Sequence, residues 1–543
     1  MTRLPVPPGL RGSSANPILA FPARWGLIAA LLLVGVGLSG CANYRGLGSD
    51  HSPLAVDALS SGHSLSSEAG QWPSRAWWKH FNDPQLDGLM DEALSNSPTL
   101  AQAAANVARA SASLEHSQAA TLPSLGLSID ATRQHYTENG MYPAPLGGST
   151  ENSGNLTLQG SYELDFWGRN RAAVEASRSR QAAAAAQTAS ARLMLASAVA
   201  KTYFQLAQLQ SFLRIGESAL AQRQQIYTLT QQRVSAGLDT QVELKQAETQ
   251  LPLTRTNIAQ LQESIVNTQH ALAALLGAGP DRALNLQAPL PAAPVSAGTS
   301  KPFKAPDNLP VDLLGHRPDL VAARWQVEAT QHDTDAAKAA FYPNINLVAF
   351  AGYSSIGLER LVRSGSENYG GGPALSLPIF DGGRLRSGLK ARYADYDAAV
   401  ANYNLTLIEA LRDVADQLNS YRALQPQIEQ QQLALEAAST AYNLALQRYH
   451  AGLGNYLTVL NAQSMVLQQQ LFRSQLLMRT LTVQVELSRA LGGGYPATGE
   501  VAASPSAPSA SAIAAVNPPQ TTTGTPATTA LASQVHPQES HHE

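Results

Sequence analysis

The stretch from Ser153 to Ala236 constrains the fold more than any other part of the chain. It begins with an alternation of apolar and polar residues that is typical of a strand with two different faces. The apolar positions are Leu156, Leu158, Tyr162, Leu164 and Phe166, and the polar positions are Thr157, Gln159, Ser161, Glu163 and Asp165. After Trp167-Gly168 the alternation stops, and the segment from Arg169 to Ala236 contains no proline and only one interior glycine. Such a composition favours helix, and roughly 68 residues of helix would be on the order of 100 Å long.

The same succession of strand and long helix occurs again about 215 residues later. Ala374 to Phe380 is strand-like, and the sequence Asp381-Gly382-Gly383-Arg384 then opens a helical segment that continues to about His450. Further matches occur in the same order: 119–125 resembles 339–345, and 232–238 resembles 447–453. Matched segments in one order indicate an internal duplication.

The N-terminus, residues 1–40, is predicted to be a lipoprotein signal peptide. Basic residues precede an apolar core, Trp25 to Leu38, that is too short to span a membrane comfortably. The core ends in Leu38-Ser39-Gly40-Cys41, and Cys41 is the only cysteine of the chain. This sequence resembles a bacterial lipobox, which implies cleavage before Cys41 and a covalent lipid on Cys41. The alternatives are an ordinary secretory signal with an incidental cysteine, or a short membrane anchor.

The remaining chain divides into segments by composition and repeat. We expect two hairpins of strands, at about 123–166 and 343–380, with bends of the long helices at Pro252 and Pro426. The segments are a lipidated tether over 41–75, a first repeat over 76–276, a connector over 277–308, a second repeat over 309–491, and a disordered tail rich in Pro, Ala, Ser and Thr over 492–543.

The number and the length of the predicted strands limit the class of protein to which this chain can belong. Each chain supplies four strands of about ten residues, the length suited to crossing an outer membrane as a tilted strand. Four strands cannot close a barrel, and open edges in lipid leave backbone groups unpaired. Copies of the chain would therefore have to pair if the strands enter lipid. Alternatively, the strands could form one layer of a soluble β-sandwich, and the helices could form a solid coiled-coil spacer.

Several motifs together resemble the outer-membrane factors of tripartite efflux systems, the TolC-like family, and within it the lipoprotein branch (OprM-like, NodT-type). They occur in the family's order and cover roughly 76–491. The motifs are the lipobox at Cys41, Trp77-Trp78 through Asp83-Pro84, Tyr162 to Arg169, Arg317-Pro318-Asp319-Leu320, Leu377 to Arg384, and Arg448-Tyr449 through Ala451-Gly452.

The resemblance implies an α+β membrane protein that forms a homotrimer. Three chains would supply a twelve-stranded transmembrane β-barrel, which a long α-helical barrel continues across the periplasm. The helical tips at Ala236-Gly237-Leu238 and Ala451-Gly452-Leu453 would bind a periplasmic adaptor protein, and an inner-membrane pump of the RND type would supply energy. The duct would export drugs or other toxic small molecules; metal export and protein secretion are the alternatives within the family.

The resemblance also implies a gate near the tips. Glu243 falls where the family has an acidic residue that helps to close the gate, and Tyr449 falls on a gate tyrosine. Thr458 and Asn461 fall where TolC itself carries two rings of aspartates, and Gly454 replaces a basic partner. We therefore expect a gate held by hydrogen bonds and packing, with weak cation selectivity.

Other functional classes find no support in the sequence. The chain has 543 residues, a net charge of −3 and only 14% charged residues, which gives no electrostatic case for nucleic acid. The sequence contains no pair of histidines spaced as metal ligands on a helix, no nucleophile elbow and no phosphate-binding glycine loop. We therefore expect no enzymatic activity, no metal and no cofactor other than the lipid on Cys41.

Overall fold

The computed structural model describes residues 44–55, 59, 65, 72–288 and 315–496. The signal peptide, Cys41, most of the connector and the tail beyond residue 496 lie outside these ranges. The α-helices are α1 (Pro84–Asn96), α2 (Pro98–Ala119), α3 (Arg169–Ser235), α4 (Gln241–Leu275), α5 (Pro318–Ala339), α6 (Arg384–His450) and α7 (Tyr456–Ala490), and the strands are β1 (Ser124–His135), β2 (Thr150–Leu164), β3 (Asn344–Ile356) and β4 (Glu367–Ser376).

The four strands form one antiparallel sheet in the order β1-β2-β3-β4. The register aligns Leu127, Leu158, Ala351 and Tyr369 in one row across the sheet, and neighbouring rows on that face are also mainly apolar. This face is exposed, since Leu127 is 63% accessible and Tyr369 is 80% accessible. Within the described residues β1 and β4 each pair on one side only, so the sheet ends in two open edges.

The opposite face of the sheet is less uniformly polar than the pattern of β2 predicts. Gln159 pairs with Phe350, and Phe350 pairs in turn with Gly370, so the aromatic side chain lies on the polar face. A Cβ atom at Gly370 would lie 2.9 Å from the ring of Phe350. The ring thus covers the space that the missing side chain leaves, a known way to stabilise glycine in strands.

Glycine allows each long helix to start directly after a strand. Gly168 precedes α3 with φ 74° and Gly383 precedes α6 with φ 88°, both in the left-handed region that favours glycine. Carboxylates satisfy the free N–H groups of these turns: Asp165 accepts from the backbone of Arg171, and Asp381 accepts from Gly383 and from Leu385. These contacts explain why both junctions combine aspartate with glycine.

The long helices α3 and α6 each contain 67 residues, which corresponds to about 100 Å. The helices α4 and α6 continue unbroken through Pro252 and Pro426, and the bends expected at the two prolines stay predictions. Among the helices of the described ranges, none combines the length and the apolar character that a membrane span requires.

The largest apolar core lies where α1 packs beside the middle of α3. Trp77 and Trp78 are buried in it together with residues of α1, α3, α4 and α7. Asp83 caps α1, since its carboxylate accepts from the N–H groups of Gln85 and Leu86. The same carboxylate accepts a 2.6 Å hydrogen bond from the hydroxyl of Tyr203 on α3, which ties the start of α1 to the long helix.

The Arg-Pro-Asp motif connects the start of α5 to α6 and α7. Arg317 is buried, and its guanidinium donates to Asp319 at 2.6 Å and to the carbonyl of Ala490 at 3.2 Å. It also lies 3.6 Å from the carboxylate of Asp413, which Arg489 contacts at 3.1 Å. Burial alone would raise the pKa of Asp319, but the bonds and charge of Arg317 outweigh it and lower that pKa. The motif therefore has a structural role at this junction.

The N-terminal segment 44–55 contacts the end of the helices that lies beside the sheet. The ring of Tyr44 packs edge-on against Phe341, and its hydroxyl lies 3.3 Å from that of Tyr342, just before β3. The N–H of Leu54 donates to the side chain of Asn404 on α6. The chain therefore leaves the sheet end of the molecule and follows α6.

Candidate gate and docking surface at the helical tips

The two helical tips have the same backbone structure. In the first, Gly237 has φ 71°, and the N–H groups of Gly237 and Leu238 donate to the carbonyls of Val234 and Arg233. In the second, Gly452 has φ 74°, and the N–H groups of Gly452 and Leu453 donate to Tyr449 and Arg448. Both arrangements are Schellman motifs, which require a left-handed residue and therefore favour glycine.

The tips present an exposed apolar residue on each hairpin. Leu238 is 64% accessible and Leu453 is 71% accessible. The neighbouring predicted docking residues are exposed as well; these are Ala236, Gly237, Ala451 and Gly452. The structure thus offers matched apolar tips, one from each repeat.

A buried polar cluster joins the two hairpins just above the tips. Arg233 donates from Nε to Asp239 at 2.8 Å, and the hydroxyl of Tyr449 donates to the same carboxylate at 2.7 Å. The hydroxyl of Thr230 lies 3.0 Å from that of Tyr449. Arg233 also donates to the Tyr449 carbonyl at 3.1 Å, and its guanidinium lies 4.6 Å from the centre of the tyrosine ring. We call Thr230, Arg233, Asp239 and Tyr449 the tip latch.

The tip latch is well satisfied electrostatically. The side chains of Arg233 and Asp239 are each 10% exposed, and Tyr449 is completely buried. Burial alone would raise the pKa of Asp239, but the hydrogen bonds from Arg233 and Tyr449 and the guanidinium charge outweigh it and lower that pKa. Burial, together with the negative charge of Asp239, raises the pKa of Tyr449 to about 12. The latch therefore contains a charged pair and a neutral tyrosine at neutral pH.

The two repeats differ at this cluster. Arg448 is the counterpart of Arg233 in the second repeat, but Gly454 stands where the first repeat has Asp239. Arg448 is exposed, and it donates a 3.5 Å hydrogen bond to the carbonyl of Leu453. The charged pair near the tips therefore comes from the first repeat, and the second contributes the tyrosine.

Of the predicted gate residues, the structure places only Tyr449 in this cluster. Glu243 instead caps α4: the N–H of Thr240 donates to its carboxylate at 2.9 Å, and the Thr240 hydroxyl contacts the same oxygen. Bonding from Thr240 lowers the pKa of Glu243, whose side chain is exposed. A role for Glu243 between subunits stays a prediction.

Thr458 and Asn461 lie exposed on the first two turns of α7. Thr458 donates both from its N–H, at 3.0 Å, and from its hydroxyl, at 2.7 Å, to the side chain of Asn455. The two residues are three positions apart and so share one face of the helix. Their place in a gate stays a prediction.

The sequence analysis missed three members of the latch: Thr230, Arg233 and Asp239. The signal that could have identified two of them was present, because the aligned repeats match Arg233 with Arg448 but Asp239 with Gly454. Because the carboxylate of Asp239 occurs in the first repeat only, it marks the position at which the two repeats have different roles.

The sheet with one exposed apolar face, the strand-to-helix junctions and the paired helical tips define an outer-membrane duct. The family model described as "Outer membrane efflux protein" matches residues 89–278 and 309–493. The chain belongs to this family, as its TolC-like motifs predicted, and it is an outer-membrane efflux duct.

Individual relatives agree with this assignment. The chain is 31% identical over 468 residues to the multidrug resistance outer membrane protein MdtP of Escherichia coli K12, covering 85% of this chain and 94% of that protein. It is 35% identical over 380 residues to the fusaric acid resistance protein FusA of Burkholderia cepacia, covering 69% and 70%. The crystal structure of VceC from Vibrio cholerae is similar, with 38% identity, a TM-score of 0.72, and 78% and 100% coverage.

Proposed function

We propose that three copies of this chain form one closed duct across the outer membrane and the periplasm. The observation that carries the proposal is the four-stranded sheet with two open edges and an exposed apolar face. Three such sheets would give twelve strands and leave no edge. Closure removes unpaired backbone groups, each of which costs several kcal/mol in hydrocarbon.

Cross-linking tests this assembly. Cysteine at Ser128 is combined in turn with cysteine at positions 368, 370, 372 and 374, which face the same side of the sheet. Oxidation should give dimers and trimers, and no larger species, for at least one pair. The control places the first cysteine at Ile129, on the other face, and should not cross-link. Absence of any cross-linked pair, together with a monomer in detergent, would refute the assembly.

We further propose that the mature chain is anchored by lipid on Cys41. Tyr44, the first residue described after Cys41, lies against Phe341 and Tyr342 directly before β3, so the described chain begins beside the strands that would enter the membrane. Cys41→Ser should abolish incorporation of labelled palmitate. The trimer should still form, since the strands insert independently of the anchor.

The duct is passive and takes its substrates from partners. In this proposal Leu238 and Leu453 and the neighbouring tip residues bind a periplasmic adaptor, and an inner-membrane pump of the RND type loads toxic small molecules into the duct. The names of the relatives include multidrug resistance, fusaric acid resistance and toluene efflux, which supports this substrate class. Leu238→Glu with Leu453→Glu should remove drug resistance in cells while single-channel conductance stays unchanged.

We also propose that the tip latch keeps the periplasmic end closed. It ties the end of α3 to the end of α6, so the two hairpins of a protomer cannot separate while it is intact. Glu243, Thr458 and Asn461 complete the gate in the assembled trimer. Opening then requires an adaptor that binds the separated tips more tightly than the joined ones.

A further inference from the structure

The helical part of each protomer contains a cleft that the duct function does not explain. It has a volume of about 380 Å³ and lies between α3, α6 and α7. Arg214 on α3 lines it, 21 positions before the end of that helix at Ser235, which places the cleft about 30 Å above the tips. The cleft is therefore separate from the latch and from the docking residues.

The charges that line the cleft are all positive. Arg214 and Arg473 both line it, and no carboxylate does so among the described residues. Arg214 uses its Nε to bond the carbonyl of Gln210 on its own helix, at 3.4 Å, which leaves its terminal amino groups free within the ranges described. Neither arginine forms an ion pair there, although Glu217 lies one turn further along α3.

A buried hydroxyl without a partner lies in the wall of the cleft. Ser474 is 4% exposed, and its hydroxyl has no hydrogen-bond partner. Other buried hydroxyls on the long helices, including those of Ser197 and Thr230 on α3 and Thr254 on α4, donate to the carbonyl four residues earlier. The hydroxyl of Ser474 is therefore an unpaired donor in the wall of the cleft.

The rest of the cleft wall carries no charge. It combines the apolar side chains of Ile215, Leu435 and Leu477 with the polar ones of Ser211, Ser218 and Gln470. Guanidinium groups bind carboxylates and sulfonates through paired N–H donors, while the aliphatic side chains provide a surface for an apolar body. The three sets of groups together fit an amphiphilic organic anion.

We propose that this cleft binds organic anions with an apolar body during export. Arg214 and Arg473 contact the anionic group, Ser474 donates a hydrogen bond to it, and the leucines and Ile215 contact the apolar part. The inference rests on the proposed duct function and identifies a class of substrate for it.

Two fluorescent probes that share an apolar body test the site. The anionic probe is 1-anilinonaphthalene-8-sulfonate and the neutral probe is N-phenyl-1-naphthylamine. Each is titrated into the full chain in nanodiscs, with empty nanodiscs subtracted. Arg214→Gln with Arg473→Gln should raise the Kd of the sulfonate about tenfold, which corresponds to about 1.4 kcal/mol, and should leave the neutral probe unchanged.

Two further variants separate binding from folding. Ser474→Ala removes a hydroxyl that has no partner in the protein, so it should weaken sulfonate binding about threefold without lowering the thermal stability. Arg479→Gln, an exposed arginine of α7 outside the cleft, should change neither probe.

The outcomes are distinct. Equal sulfonate affinity in the double variant and the wild type would overturn the inference, as would an equal loss in Arg479→Gln. Loss of the trimer in the double variant without a change in probe binding would show that a neighbouring subunit fills the cleft, and would also overturn it. If the double variant conducts normally, the duct is intact, so unchanged sulfonate affinity would contradict the anion site alone and not the proposed duct.

Discussion

Asp239→Asn tests the latch most directly, because it changes charge with almost no change in volume. The wild-type carboxylate receives bonds from Arg233 at 2.8 and 3.3 Å and from Tyr449 at 2.7 Å. The amide can still accept from one of them, but it leaves the guanidinium of Arg233 without its counter-ion in a site that is 10% exposed.

The expected cost follows from burial. Removing one partner of a fully buried ion pair costs about 3–5 kcal/mol, and we reduce this to about 2–3 kcal/mol because both side chains retain some contact with water. If the latch exists only in the closed state, the closed-to-open ratio should fall about 30- to 150-fold.

Planar bilayer recording measures this ratio directly. Asp239→Asn should conduct in long openings under conditions in which the wild type is mostly closed, and cells should become sensitive to large antibiotics that the outer membrane excludes. Arg448→Gln is the matched control, since Arg448 occupies the equivalent turn but is exposed. Its closed fraction should equal that of the wild type.

A double variant gives the energy of the pair itself. Arg233→Gln with Asp239→Asn should open little more than either single variant, because each change already breaks the same interaction. Additive effects, or an unchanged closed fraction in Asp239→Asn, would refute the idea that the latch holds the gate.

Three further predictions follow from groups of the gate and of the Arg-Pro-Asp junction. The pKa of Asp239 is lowered in the folded protein, so the ionised pair stabilises the latch fully at any pH above the ordinary aspartate pKa of about 3.9 and is lost only as the pH falls through the lower folded pKa. The closed fraction should therefore be constant from pH 8 to about 5 and should drop below about pH 4. A transition near pH 6 would contradict this prediction. Single-channel reversal potentials should show weak cation selectivity that Thr458→Ala and Asn461→Ala leave unchanged, whereas strong selectivity abolished by these variants would contradict a gate without acidic rings. Arg317→Ala should lower the free energy of unfolding by about 3 kcal/mol because it leaves Asp319 without a counter-ion and the carbonyl of Ala490 without its donor. Arg392→Ala, which breaks an exposed pair, should cost less than about 0.5 kcal/mol. Equal losses in denaturant titrations would contradict the structural role of the motif.

The elements of the fold could be predicted because their signals are local. Alternation identified β2, and the lack of proline identified α3; the structure ends α3 at Ser235, within one residue of the predicted end. The turns at Gly237 and Gly452 depend on residues only a few positions away, so the local sequence was sufficient to predict them as well.

The latch could not be predicted in the same way because it depends on distant residues. Asp239 bonds Tyr449, which lies 210 positions further along the chain. The family resemblance pointed to Glu243 as an acidic gate residue. In the structure Glu243 caps α4 with Thr240, and its role in the gate stays a prediction. Asp239 is the carboxylate that forms the long-range contact within one protomer. Phe350 is a similar case, because its position over Gly370 follows from pairing between strands rather than from the pattern of either.

The order of strands in the sheet has a consequence for biogenesis. β1 can pair with β2 as soon as a short loop is made, but the next partner of β2 is β3, whose paired residues begin at Ile345. About 180 residues, including both helices of the first hairpin, separate these strands, so the closing step is slow and entropically costly. The edge of β2 is therefore open to wrong partners until the second half of the chain has folded onto it. The first half of a chain with this topology therefore exposes an unpaired strand edge, and truncation after residue 276 should produce aggregates rather than a half-duct.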